Sequence, residues 1–557
     1  MLVINICRIR FFDNLGSVLS KFKISSINLI LLVSLFITVL NNQAFFSKVS
    51  SRLELFSFQG ATYVLSIYAI VFFIVVLLHF IFGTKFLLKP LLVLLLIVSA
   101  GLSYFTQELG VIFDDDMVRN LFETIKDNNQ QEATELLSFP LIRHVFIYGV
   151  LPAILVLFST VTYRPFFKEL LSRSIHALGL VAIIIALLLI NFKYTSFFSR
   201  ENRDLRYYLT PLYALGSVRS FAQKQLKNNI PLKILGEDAV QHKASTQRTI
   251  GIMVVGETAR ASNFSLNGYQ RETNPHLKKE NLLNYTQASS CGTSTAFSVP
   301  CMFSFLNRDD YSPEKASQET NALDVLVKAG VKVIWLDNNS SCKGVCERTG
   351  EVNLRHNPDP KSPFYLNGEL VDEVLITKMD EYLSAEKSDA DILFVLHTLG
   401  SHGPKYFKRY PDKFSQFEPA CKKSTPQECS DTETINAYDN TILYTDHILN
   451  EMISFLKNKQ DQQETFMIYA SDHGESLGEK GVYLHGLPYF LAPKAQTHIP
   501  MLVWLSKNYK VNRQLDITKL KQRQTSDEIS HDNLSHSLLG AFGVKSKIYK
   551  QNYDLLK

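Results

Sequence analysis

The sequence predicts an α-helical membrane domain of five spans, followed by an external α/β domain with a mainly parallel sheet between helices. Three observations predict it. Five long apolar runs fall within the first 191 residues. Lysine and arginine in the short loops between them favour one side of a membrane. Beyond residue 245, short β-rich runs alternate with helical stretches. The chain has 557 residues, enough for at least two domains. Its formal charge of +5 is small for that length and calls for no nucleic acid or other acidic partner.

The apolar runs lie at roughly 26–46, 61–82, 89–105, 144–162 and 173–191. Each approaches the ~20 residues that a helix needs to cross the hydrocarbon core. Buried helices of a soluble protein are the alternative, but charge-poor runs of this length rarely recur five times in one soluble domain. The first run has no small-residue cleavage pattern after it, so it reads as a retained span and not as a signal peptide. Arg8, Arg10, Lys21 and Lys23 precede it, Lys85 and Lys89 follow the second, and Arg164, Lys168 and Arg173 follow the fourth. With five crossings these sets share one side, which places the N-terminus in the cytoplasm and everything after Asn191 outside. Asp114, Asp115 and Asp116 fall on the opposite side.

The cysteines point the same way. Of seven, Cys7 alone precedes the spans, while six lie in the external part as close pairs: Cys291/Cys301, Cys342/Cys346 and Cys421/Cys429. Even pairing on one side fits an oxidising compartment, and proximity predicts sequential disulfides. A thiolate metal site is the rival, but a compartment that oxidises thiols leaves few thiolates for metal.

Residues 192–245 are polar and aromatic with basic positions at Arg200, Arg203, Arg206, Lys224 and Lys227. They read as a bridge, with Tyr207 to Phe221 either helical on the membrane surface or ordinary linker. The expected domains are therefore 1–191, 192–245 and 246–557. Strands are expected at Thr249–Val255, Val331–Leu336, Asp391–Leu396, Thr465–Ala470 and Pro500–Leu505, with helices at 320–329, 369–384 and 433–457. Continuous apolar strands alternating with helices indicate a sheet covered on both faces.

In open α/β sheets the active site gathers beyond the carboxyl ends of the strands. Here three strands run into Gly256-Glu257-Thr258, His397 to Gly403, and Ser471-Asp472-His473-Gly474-Glu475. Carboxylate and imidazole without thiolate suit zinc, and sometimes manganese. Glu257, Asp472 and His473 form a candidate set with a fourth position open. The loop Ser290 to Cys301 supplies a hydroxyl nucleophile, which metal coordination would activate. Spacing does not choose among Thr293, Ser294, Thr295 and Ser298.

The runs Gly256 to Arg260, Asn263 to Tyr269, Cys291 to Cys301 and Ser471 to His485 closely resemble the phosphoethanolamine transferases of Gram-negative inner membranes. That family includes lipid A modifying enzymes and mobile polymyxin-resistance enzymes. The resemblance covers nearly the whole chain and implies an alkaline phosphatase/sulfatase-like catalytic domain in the periplasm. It implies zinc held by Glu257, Thr295, Asp472 and His473, with Thr295 as nucleophile. His402 and His485 match positions that contact the phosphoryl group or a second, weaker zinc, and one of them would protonate the leaving alcohol. His397 reads as structural or as supporting the ligands. Ser340 and Lys343 match positions near the substrate head group, and Asn120, Thr124 and Glu132 match lipid-contacting positions. The implied reaction moves phosphoethanolamine from phosphatidylethanolamine to lipid A or another lipopolysaccharide site through a phospho-threonine intermediate, in a monomeric, multi-pass inner-membrane protein. The rivals are a tethered phosphodiesterase or sulfatase-like hydrolase and a phosphoglycerol transferase. No Cys-x-Pro-x-Arg sulfatase motif is present.

Overall fold

The computed structural model describes residues 23–53, 58–126, 137–192, 202–226, 231–355, 358–366, 368–526 and 529–557, with Thr195 and Phe198. Cys7, Arg8, Arg10, Lys21, Glu132, Arg200 and Lys227 lie outside the described residues. The chain divides into two compact units: Met1–Asp114 with Leu137–Val218, and Asp115–Leu136 with Arg219–Lys557.

In the first unit, four helices among the described residues are long and apolar enough to cross a membrane: Gly60–Phe82, Leu88–Leu109, Phe139–Phe158 and Phe166–Ile190. Only 6% of the most apolar stretch of Phe166–Ile190 is buried within the protein, so its surroundings must themselves be apolar. The first expected span is broken. Helices Ser26–Leu40 and Gln43–Ser51 meet at 55°, and together they make a fifth crossing if the bent pair counts as one. The break falls at the polar pair Asn41-Asn42. The Asn42 amide donates to the Ile37 carbonyl and to the Thr210 carbonyl, and its oxygen accepts the Thr210 N–H. Side-chain bonds thus replace the helical ladder at this point.

The second unit is built on a seven-stranded sheet. Its strands are β1 (Thr249–Gly256), β2 (Leu283–Asn284), β3 (Lys332–Asp337), β4 (Glu351–Asn353), β5 (Ile392–His397), β6 (Glu464–Ser471) and β7 (Met501–Leu505). The spatial order is β2-β7-β6-β1-β5-β3-β4. β6, β1, β5, β3 and β4 are parallel; β7 runs antiparallel to β6, and β2, antiparallel to β7, returns to the common direction. The five strands expected from sequence are β1, β3, β5, β6 and β7. The three expected helices appear as Ala322–Lys328, Glu373–Ala385 and Asp431–Lys457, the last opened by a capping box of Ser430 and Glu433.

Every residue of β1, β5 and β6 is buried. Alternate side chains enter two cores: Met253, Val255, Phe466 and Ile468 on one face, Ile252, Val254, Met467 and Tyr469 on the other. Such a sheet has no solvent face, which explains the unbroken apolar runs. Register brings the strand ends level. Gly256 pairs with Ser471, while His397 pairs with both Val255 and Asp337. The residues that follow these positions therefore emerge along one line.

Gly251 sits on β1 where a Cβ would drive into the Phe466 ring. Gly251→Val is expected to destabilise the second unit by about 1–3 kcal/mol through overpacking. Adding Phe466→Leu should return part of that loss. Thermal unfolding of the single and double variants measures both, and full additivity would refute the contact.

Candidate metal centre

The line of strand ends becomes a site because three loops turn toward one point. Glu257 follows β1, and Asp472 and His473 follow β6. All three are buried, and each offers one ligand atom, all within 4.8 Å of one another. Backbone bonds hold the loops together: Asp472 N–H donates to Gly256 O at 2.8 Å, and Thr258 N–H to Asp472 Oδ1 at 3.0 Å. Ser471 Oγ donates to the His473 carbonyl and accepts the Ala259 N–H.

The tautomer of His473 follows from its surroundings. Nδ1 lies 2.9 Å from the Gly474 carbonyl and donates to it. Nε2 is left with a lone pair, 3.2 Å from Asp472 Oδ2 and 3.6 Å from Glu257 Oε1. Three electron-rich atoms thus face each other in a dry interior. Burial, then the neighbouring Asp472 charge, raises the Glu257 carboxyl; burial raises Asp472. Burial also drives His473 down to about 4. Asp472 Oδ2 is buried and makes no hydrogen bond of normal geometry. A divalent cation at the common point would satisfy the orphaned oxygen and offset the like charges. Two carboxylates, one imidazole and a hydroxyl oxygen are a donor set that fits zinc.

That hydroxyl is Thr295, whose Oγ1 lies 3.3 Å from each Glu257 oxygen and 3.4 Å from His473 Nε2. Thr295 opens the helix Thr295–Phe303, so the amino-terminal end of that helix faces the site and favours an anion there. Of the other hydroxyls in the loop, Thr293 donates at 2.6 Å to the Leu487 carbonyl. The Ser294 and Ser298 hydroxyls are buried without hydrogen bonds. The loop is closed by the Cys291–Cys301 disulfide, and Cys342–Cys346 and Cys421–Cys429 form as well.

Around this core, the ring centroids of His473 and His485 are 4.2 Å apart, and those of His485 and His402 6.0 Å. Both outer rings are half-buried. The protein packed around them, followed by neighbouring positive charge, holds both well below the usual imidazole value. Both therefore favour the neutral ring. His397 is wholly buried, with Nδ1 bonded to Asp337 Oδ2 at 2.9 Å and Nε2 3.9 Å from Glu257 Oε2. Lys343 is buried and donates to the Ser340 carbonyl at 2.6 Å. It lines a cavity of about 270 Å³ beside helix Thr295–Phe303, together with Arg119, Glu123 and Lys126. Asn120 and Thr124 lie on helix Asp115–Lys126, which packs against Thr295–Phe303; the Thr124 hydroxyl is bonded to the Asn120 carbonyl.

Sequence reasoning did not single out Asn339 or Asp372. The Asn339 amide donates to Glu257 Oε2 and to the Thr398 carbonyl, both at 2.8 Å. It follows β3 by two residues, so the strand-end rule that found Glu257 would have found it. Asp372 accepts the Leu399 and Gly400 N–H groups and shapes the loop after β5. Gly400 has φ +51° there, and a Cβ would lie 2.7 Å from the Glu257 carbonyl, so only glycine lets the two loops meet.

Comparison with known proteins gives a consistent result. Residues 70–226 match the family model described as phosphoethanolamine transferase EptA/EptB, and residues 250–544 match the sulfatase family. Phosphoethanolamine transferase EptA of Escherichia coli K12 is 38% identical over 542 residues, covering 96% of this chain and 97% of the relative. Phosphatidylethanolamine transferase Mcr-1 of Escherichia coli is 36% identical, covering 97% and 99%. The integral membrane lipooligosaccharide phosphoethanolamine transferase A of Neisseria meningitidis superposes with a TM-score of 0.91 at 36% identity, covering 96% and 99%.

Both carboxyls gain protons more readily in the fold than when exposed. Their contribution to stability is therefore present below the usual carboxyl range and lost as pH rises through the elevated values. Metal-free protein is expected to lose thermal stability as pH rises from about 4.5, the usual glutamate range, toward neutrality. Zinc-loaded protein should show little of this trend, and metal-free Glu257→Gln should show less than metal-free wild type. An equal slope in metal-free Glu257→Gln would contradict the assignment.

Proposed function

This chain belongs to the phosphoethanolamine transferase family, and from that premise we propose that it moves phosphoethanolamine from phosphatidylethanolamine to lipid A through a covalent Thr295 intermediate. The observation that carries the reading is the Thr295 hydroxyl, within 3.4 Å of buried ligand atoms from both strand ends, where the Thr258 hydroxyl is bonded to Glu257. Glu257, Asp472, His473 and Thr295 would hold one zinc. When bound, the ion would favour the Thr295 alkoxide and draw charge from the phosphoryl oxygens. The Oγ1 oxygen attacks phosphorus, the bond to the diacylglycerol oxygen breaks, and phosphoethanolamine is left on Thr295. A phosphate or hydroxyl oxygen of the acceptor then attacks the same phosphorus and frees Thr295.

His402 and His485, as neutral rings, are suited to donating N–H bonds to the phosphoryl oxygens. An anion bound between them raises both toward the range in which one can protonate the departing alcohol. A second, weaker zinc would compete for the same nitrogens. The Lys343 cavity is placed for the donor head group, and Asn120 and Thr124 for its lipid portion. The domain order, a cytoplasmic N-terminus with spans to residue 191, a bridge at 192–245 and a periplasmic catalytic domain from 246, keeps two lipid substrates within reach of one site in the inner membrane. We infer a monomer. The product carries an added ammonium on an anionic surface, which weakens charge pairing with cationic peptides such as polymyxin.

Thr295→Ala is expected to keep its zinc, lose the phosphoethanolamine adduct in intact-protein mass spectra, and leave lipid A of an expressing strain unmodified. An adduct that persists in this variant would overturn the nucleophile. Wild-type expression that changes neither lipid A mass nor polymyxin sensitivity would overturn the acceptor. Turnover of the donor with no acceptor present would favour a hydrolase.

A further inference from the structure

His531 lies far along the chain from every group discussed above, yet it touches the backbone of two of the loops that build the centre. It is 1% exposed. Its Nδ1 accepts the Cys291 N–H at 3.1 Å, and its Nε2 lies 2.9 Å from the Ser471 carbonyl. A carbonyl can only accept, so Nε2 carries the hydrogen and Nδ1 the lone pair. Burial holds the ring neutral, with its pKa lowered to about 4, as this pattern requires.

The two partners are not interchangeable backbone positions. Cys291 begins the nucleophile loop and is cross-linked to Cys301 in the nucleophile helix. Ser471 is the last residue before Asp472 and His473. Its hydroxyl also receives Ala259 N–H, so the same residue is tied to the loop that carries Glu257. The ring therefore spans the gap between the loop that presents Thr295 and the strand end that presents the metal ligands. Its own segment is pinned as well: His531 N–H donates to the Ser289 carbonyl and Ser289 N–H to the Ile529 carbonyl.

We propose that His531 is a positioning residue that fixes the distance between the Thr295 hydroxyl and the metal ligands by bonding Cys291 and Ser471 at once. The inference rests on the functional reading above. In-line attack demands a narrow geometry, and a displacement of about 1 Å can cost on the order of 100-fold in rate. A brace of this kind acts on the covalent step and leaves donor binding alone.

Three substitutions grade the brace. Glutamine offers a carbonyl and an amide and can make both bonds. Asparagine is shorter and can make one, and leucine can make neither. The full-length protein in proteoliposomes containing phosphatidylethanolamine is assayed for rate of adduct formation, donor KM, zinc content and thermal midpoint. His531→Leu is expected to slow adduct formation by about 100-fold with zinc content and KM within about twofold of wild type. His531→Gln should stay within about fivefold of wild type, with His531→Asn between. Wild-type rates in His531→Leu would overturn the proposal, as would equal losses in Gln and Leu, or a loss that follows zinc content. If His531→Leu does not fold, the Asn and Gln variants decide: equal rates in the two overturn it. Absence of any adduct in the wild type would reject the functional reading itself, a result separable from all of these.

Discussion

The catalytic unit is organised by one electrostatic constraint. Two carboxylates and an imidazole lone pair converge inside a closed core, where unpaired charge is costly. His397, raised against the opposing effect of burial by the Asp337 and Glu257 carboxylates, lies 3.9 Å from Glu257 Oε2 and offsets only part of that charge. Asn339 gives one amide hydrogen to Glu257, Thr258 gives a hydroxyl, and Asp472 Oδ2 receives nothing of normal geometry. A divalent cation would offset these charges, and Nδ1 of His473 is committed to Gly474 so that Nε2 stays open toward that point, while helix Thr295–Phe303 points its amino end where an anion would sit. Hydrogen bonding of this kind, behind the ligands, sets both their orientation and their affinity.

Much of this was legible in the sequence because the fold repeats one device. A buried parallel strand must be apolar, so the first polar residues after it mark both its end and the edge of the sheet. Glu257 and the pair Asp472-His473 were found that way. The choice among four hydroxyls was not legible from spacing. It depends on which of them tertiary packing brings to Glu257 and His473, 38 and 178 residues from Thr295. His531 was illegible for the same reason, since its contact with Cys291 spans 240 residues. Side chains that act by holding backbone carry no local pattern, because their partners are any N–H or carbonyl that tertiary packing delivers. The break at Asn41-Asn42 lies between. Two adjacent amides in an apolar run are visible, but Thr210, the partner of Asn42, is not.

The assignment of neutral histidines changes how the site handles protons. A row of three rings, His473, His485 and His402, would repel itself if charged, and burial removes the water that would screen it. In the transfer proposed above, an incoming phosphate would supply the negative charge that favours protonating one of the outer pair.

Chain connectivity adds a constraint that no single contact supplies. The catalytic unit includes residues 115–136, which lie between two membrane-crossing helices, as well as everything after Val218. The chain thus passes between the units at three places and not one. Helix Asp115–Lys126 is anchored in the second unit by the part-buried Arg119–Glu314 ion pair and by packing on the helix that begins with Thr295. Gly110 to Asp114, five residues at most about 18 Å long when extended, join it to the helix ending at Leu109. For the two lipid substrates proposed above, this connectivity ties the helix that begins with Thr295 covalently, at three points along the chain, to helices long and apolar enough to cross a membrane.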